Sequence, residues 1–227
     1  MSCQLLDAGP DSAHVRVDLA AWQGGSVLLR FREGSGTVLA ALKGYIATVL
    51  VEAGKVVNVS YVPSQNSWRW SDYSQQKQQL EALRATVAAA ASHGVFRVAP
   101  NQAEALAGEI RYLKSIDPTL GLYASYAYSD AGLTDSVRSV LSYMDNDLGI
   151  RLFDVQMLAG ASHSPWLSVV PFAPMLSQGW ALLRARRAVI PPAAQEAGDA
   201  MLSSLWSTFD PSGMDILIRA GEIGAIL

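Results

Sequence analysis

Cysteine and histidine are the reactive residue types that this sequence has least of. The 227 residues include one cysteine, Cys3, and three histidines, His14, His93 and His163. A single cysteine excludes an internal disulfide and a zinc site built on several thiolates. The histidines lie far apart and form no His-x-x-x-His pair, so the sequence predicts neither a metal site nor a cofactor. Carboxylate ligands such as Asp145 and Asp147 are left open.

Charge is also sparse and nearly balanced. Lys and Arg number 17 and Asp and Glu number 20, which gives a net charge of −3, and only 16% of residues are charged. This balance argues against a general nucleic-acid binder, which needs a basic face. No run approaches the roughly 18 apolar residues of a membrane span. The first residues, Met1–Asp7, lack the basic start of a signal peptide. We therefore expect a cytoplasmic protein without a membrane partner.

The first third of the sequence has the patterns of β-strands. Alternation predicts a strand at His14–Leu19, and glycine turn signals on both sides predict another at Ser26–Arg32. The clearest element is a hairpin in which Tyr45–Glu52 and Lys55–Val62 flank the two-residue loop Ala53-Gly54. A glycine-containing loop between β-branched runs is typical of a tight hairpin.

Helical patterns follow the polar stretch Pro63–Ser67. Asp117-Pro118 is a helix start, with Asp as N-cap and Pro in the first turn, and Gly149 is a helix stop. The predicted helices are Asp72–Ser92, Asn101–Ser115, Pro118–Ala131, Thr134–Leu148, Phe153–Leu158, Phe172–Val189, Pro192–Phe209 and Met214–Ala220. Strands followed by helices predict an α+β fold. A small antiparallel sheet region, residues 1–63, precedes a helical region with an αα-hairpin, residues 72–227, and we expect the two to pack as one compact unit.

Two short motifs suggest peptidase or hydrolase chemistry. Ser92-His93-Gly94 is similar to the surroundings of the catalytic histidine in caspase-like peptidases, but it follows four alanines and favours a helix C-terminus. Gly160–Ser164 approaches the Gly-x-Ser-x-Gly nucleophile motif, yet its fifth residue is serine. A serine hydrolase using Ser162, with His163 or His14 as base and Asp154 to orient it, stays open as an alternative.

Aromatic residues form two candidate partner-binding sets. One combines Trp and Arg next to the predicted boundary, and the other is a tyrosine-rich stretch of the αα-hairpin. The two sets are Trp68, Arg69, Trp70 and Tyr73, and Tyr123, Tyr126 and Tyr128. Each set either packs the core or binds a partner, since Trp, Tyr and Arg are enriched in binding hot spots. A basic cluster, Arg184, Arg186 and Arg187, allows a nucleic-acid-associated regulator as a further alternative.

Four segments carry a resemblance to a known group of proteins. Ile116–Tyr128, Phe153–Leu158, Gln178–Leu183 and Val57–Ser64 resemble regions that accompany bacterial caspase-family and CHAT-type peptidases, over about residues 45–183. The resemblance implies a role beside such a peptidase, as adaptor, regulator or cleaved substrate in a defence or signalling pathway. It carries over no catalytic residue, because the peptidase cysteine and its context are absent. The prediction is a non-enzymatic interaction module with a protein partner.

Overall fold

Antiparallel strand pairs make up the first part of the molecule. The computed structural model describes residues 1–91, 96, 116–161 and 168–224. The strands of this part are β1 Ser2–Ala8, β2 Ala13–Asp18, β3 Gly24–Arg30, β4 Gly36–Leu42, β5 Tyr45–Glu52 and β6 Lys55–Pro63. They pair as β1–β2, β3–β4 and β5–β6, all antiparallel. The predicted hairpin is confirmed: Ala53 and Gly54 both adopt positive φ, and Glu52 faces Lys55.

Helices dominate the rest of the described chain, which confirms the α+β class. They are α1 Trp70–Ala90, α2 Pro118–Asp130, α3 Thr134–Leu148, α4 Phe153–Ala159, α5 Ser177–Arg186, α6 Pro192–Ala197 and α7 Pro211–Glu222. Asp117 is the N-cap of α2, with Pro118 in the first turn, and Gly149 ends α3 in the left-handed conformation, as predicted. Helices α2 and α3 pack together as the predicted αα-hairpin.

Some boundaries differ from the sequence predictions. The predicted helix Pro192–Phe209 ends at Ala197, and the chain then forms strand β9, Thr208–Phe209, which pairs with the start of β4. Hydrogen bonds from distant strands override local helix propensity here: the hydroxyl of Thr37 donates to the carbonyl of Ser207 over 2.6 Å. The sequence analysis also missed β1. The predictions for Asn101–Ser115 and for a cap at His93 and Gly94 lie outside the described residues.

Two short strands, β7 Arg151–Leu152 and β8 Val169–Val170, pair in parallel. The main apolar core draws side chains from both the strand region and the helices. Its members include Val56, Val59 and Tyr61 from β6, Leu80, Leu83 and Val87 from α1, and Leu120, Leu122 and Tyr126 from α2. Sheet and helices therefore bury their apolar faces against one another.

The carboxylate of Asp117 is a fully buried polar group that lies between the sheet and the helices. It accepts hydrogen bonds from the amide and hydroxyl of Thr119, at 3.0 and 2.7 Å, and from the amide of Tyr61, at 3.3 Å. The guanidinium of Arg84 pairs with its second oxygen at 2.7 Å and also donates to the carbonyl of Tyr61. One side chain thus connects β6, α1 and the start of α2.

Replacing Asp117 with Ala should lower the free energy of unfolding sharply. The change leaves the Tyr61 and Thr119 amides and the Arg84 guanidinium without their acceptor in a buried site. Breaking a buried ion pair on one side costs about 3–5 kcal/mol. Urea denaturation at neutral pH measures the loss.

Asp210 provides the matched control, since it begins α7 with the same Asp-Pro pair. Its carboxylate accepts from the amides of Ser212 and Gly213 at the surface, without a buried cation. Asp210→Ala should cost about 1 kcal/mol, the ordinary value of an N-cap. Equal losses for the two variants would contradict the role given to the Asp117 network.

Candidate functional site

Tyr45, Trp68, Arg69 and Asp147 form a cluster at the N-terminal end of α1, which we call the Trp68 patch. Trp68 is 70% exposed, whereas Arg69 beneath it is buried. The guanidinium carbon of Arg69 lies 4.3 Å from the centre of the Trp68 ring and 5.5 Å from that of Tyr45. These distances are those of cation–π contacts. The patch thus presents a large aromatic ring to solvent above a buried cation.

The buried cation is paired with the end of α3. Arg69 Nη2 lies 3.2 Å from Asp147 Oδ1 and also donates to the main-chain carbonyl of Asp147. Arg69 Nε and Asp147 Oδ2 are buried without a hydrogen-bond partner. A cavity of about 150 Å³ adjoins the pair, with Gln23 and Lys43 among its lining residues. A donor and an acceptor of this ion pair therefore remain unused.

Sequence reasoning identified half of this patch. Trp68 and Arg69 were predicted partner-binding residues, and the structure brings them together with Tyr45 and Asp147, which were not. The pattern around Tyr45 indicated only a β-strand. Asp147 is 78 residues from Arg69 in the sequence, so their contact depends on the fold. The other predicted members, Trp70 and Tyr73, are half-buried and pack against each other with ring centres 5.2 Å apart. They contact each other within the first turn of α1.

The second predicted set, Tyr123, Tyr126 and Tyr128, does not form an exposed groove. Tyr123 is 4% exposed, with its ring 4.9 Å from Phe96 and 6.0 Å from Trp206, measured between centres. Tyr126 is fully buried and Tyr128 is half-buried. Of the two interpretations left open for this set, packing of the core is the one that the structure supports, because every residue of α2 from 118 to 127 is buried.

The Tyr126 hydroxyl donates to the carboxylate of Asp154, the residue that the hydrolase alternative assigned to orient a histidine. The bond is 2.6 Å, and the amide of Met175 donates to the other oxygen at 2.8 Å. Burial raises the pKa of Asp154 to about 6, although these hydrogen bonds oppose the rise. Burial and the nearby Asp154 charge also raise the pKa of Tyr126. Asp154 thus has its partners inside the core, and His14 lies on the exposed strand β2.

The remaining catalytic and basic candidates gain no support. Ser162 and His163 lie outside the described residues. Arg184 and Arg186 occupy the last turn of α5, and Arg187 is its C-cap in the left-handed conformation. Arg186 is engaged with the hydroxyl of Ser129 at 2.8 Å.

The two carboxylates that the sequence left open as metal ligands, Asp145 and Asp147, form ion pairs with arginines. Arg151 lies 2.7 Å from Asp145, and Arg69 lies 3.2 Å from Asp147. In the described ranges, no group of three His, Cys, Asp or Glu residues is placed to hold a metal. Across the same ranges, every helix is too short or too polar to cross a bilayer.

A cleft of about 500 Å³ lies between the β5–β6 turn, α1 and α2. Its described lining mixes polar and apolar side chains, among them Asn58, Arg84, Leu120, Tyr123 and Ser204. The charge of Arg84 is already neutralised by Asp117, and Ser204 donates to the carbonyl of Val56 at 2.6 Å. Two of the polar side chains at this cleft, those of Arg84 and Ser204, are thus engaged in contacts within the fold.

Comparisons with protein-family models, with curated proteins and with solved structures find no match to this chain. The resemblance to segments accompanying caspase-family peptidases therefore rests on the four sequence stretches that carry it.

The raised pKa of Asp154 predicts a pH-dependent stability. The folded state holds this proton up to about pH 6, whereas the unfolded chain releases it near pH 4. The stabilisation is complete below pH 4 and is lost as the pH rises through 6. A shift of about two pH units corresponds to about 3 kcal/mol.

Asp154→Asn should remove this term. The free energy of unfolding of the wild type minus that of the variant should fall by about 2 kcal/mol between pH 4 and pH 7, measured by urea denaturation. Asp199→Asn, which changes an exposed carboxyl, should follow the wild-type curve. A difference between wild type and Asp154→Asn that stays constant with pH would refute the buried titration.

Proposed function

We propose that this chain is a non-enzymatic interaction module that binds a protein partner through the Trp68 patch. The partner class implied by the sequence resemblance is a bacterial caspase-like peptidase, beside which the chain would act as adaptor, regulator or substrate. The observation that supports binding is the exposed ring of Trp68, held over a buried arginine. The resemblance supports the partner class.

The physical argument starts from the cost of exposing an indole. A ring that is 70% exposed leaves much apolar surface in water, and covering it with a partner is favourable at about 25 cal/mol per Å². The same covering removes water from the Trp68–Arg69 contact, which strengthens a cation–π interaction. Trp, Tyr and Arg together are the typical composition of a binding hot spot.

The Arg69–Asp147 pair adds polar selectivity to the patch. Its unused Nε donor and Oδ2 acceptor are shielded from solvent, and an unpaired buried polar group costs about 1–3 kcal/mol. A partner that covers Trp68 and brings an acceptor to Nε and a donor to Oδ2, as an amide can, relieves that cost. An aromatic cover and an amide are therefore the complementary chemistry.

Trp68→Ala should weaken partner binding without unfolding the chain. We expect the dissociation constant for a purified caspase-like peptidase from the same genome to rise at least about tenfold, the effect of a hot-spot truncation. The free energy of unfolding should change by no more than about 0.5 kcal/mol, because the side chain is at the surface. Titration calorimetry and urea denaturation measure the two quantities.

Val189→Ala is the control, since Val189 is 89% exposed and lies after α5, outside the patch. It should leave the dissociation constant unchanged. No binding by the wild-type chain, or equal affinities for the Trp68 and Val189 variants, would refute the proposal.

A further inference from the structure

Strand β5 has an unusually unprotected edge. From Tyr45 to Val51 it contains no charged residue and no proline, and its single irregularity is a register shift at Leu50/Val51. Sheet edges are normally guarded by lysine, proline, bulges or covering elements, because unpaired amides and carbonyls bind other strands. In the described ranges the only strand paired with β5 is β6. Within the described residues, no strand lies along the opposite edge at Ala47–Val49.

The hydrogen bonds of β6 show which groups of β5 point to this edge. In an antiparallel pair, residues bonded to the partner strand alternate with residues whose main-chain groups point away. The amide of Ser64 donates to the carbonyl of Gly44 at 2.8 Å, whereas the amide of Tyr61 turns away to Asp117. Every second residue pair, counted from Gly44 and Ser64, is therefore hydrogen-bonded between β5 and β6.

This alternation assigns the residues of β5 to two rows. Ile46 and Thr48, opposite Val62 and Ser60, bond to β6. Ala47 and Val49 direct their amides and carbonyls to the open edge, and no hydrogen bond of the described chain satisfies those main-chain groups. The edge thus offers donors and acceptors in the spacing of an antiparallel ladder.

We propose that β5 pairs antiparallel with β5 of a second copy of this chain, around a two-fold axis at Thr48. In this register Ala47 of each copy faces Val49 of the other, so the edge-pointing groups of both strands meet. The two hairpins become one four-stranded sheet in the order β6–β5–β5–β6. A symmetric interface of this kind closes on itself and stops at a dimer.

The side chains match the same register. On the outward face Ile46 and Leu50, 55% and 57% exposed, lie opposite each other across the axis. The Thr48 side chains face one another. Glu52 lies opposite Gly44, next to Lys43 of the other copy, so the charges that meet are opposite in sign. A second copy thus supplies the neutral centre and complementary ends that this edge requires.

Ala47→Pro tests the ladder. Proline removes an amide that points to the open edge, so the hairpin keeps its own hydrogen bonds while the intermolecular ones are lost. Sedimentation velocity on the full chain should show that the wild type is a dimer. The dissociation constant of the Ala47→Pro dimer should be at least about tenfold higher. Ala47→Ser, which keeps the amide, should remain a dimer.

Charge variants at the axis test the register and do not depend on proline being tolerated. Thr48→Lys or Thr48→Glu alone places like charges opposite each other and should give monomers. An equimolar mixture of the two variants should recover the dimer.

The proposal would be overturned if the wild-type chain were monomeric at all concentrations. This holds whether or not an extended peptide binds the edge. A dimer unaffected by the single charge variants, or a mixture that stays monomeric, would overturn it as well. None of these outcomes bears on the Trp68 patch, which is tested by peptidase binding.

Discussion

The buried carboxylate of Asp117 is the interaction on which the rest of the structure depends. It holds the Tyr61 amide of β6, the Arg84 guanidinium of α1 and the first turn of α2. Strand β5 joins the molecule by pairing with β6, and the Trp68 patch is carried at the start of α1. Both candidate contact surfaces therefore belong to elements that this one buried carboxylate connects.

Local signals in the sequence predicted the parts of this arrangement that depend on neighbouring residues. The β5–β6 hairpin follows from a glycine loop between β-branched runs, and the start of α2 follows from Asp117-Pro118. Neither signal contains the partners of Asp117, because Arg84 and Tyr61 are 33 and 56 residues away. Strand β9 was missed for the same reason, because its extended conformation depends on pairing with the distant strand β4.

The candidate site was half predictable. Trp68 and Arg69 are adjacent in sequence, so their proximity needed no knowledge of the fold. The tyrosines of α2 misled the prediction, because periodicity shows which residues share a helix face but not whether a second layer covers it. Here α3, α4 and β6 all contact α2, and the Tyr126 hydroxyl is satisfied internally by Asp154. Aromatic composition alone does not distinguish core from surface.

Native-state hydrogen exchange tests the central claim that Asp117 unites sheet and helices. The amides of Tyr61 and Thr119 both donate to its carboxylate from different elements. If the network joins these elements, the two amides should open with one shared free energy, equal to that of global unfolding, and with the same urea dependence. A Tyr61 amide that exchanges through a smaller opening, while Thr119 stays protected, would show that β6 detaches from the helices by itself and would contradict the account.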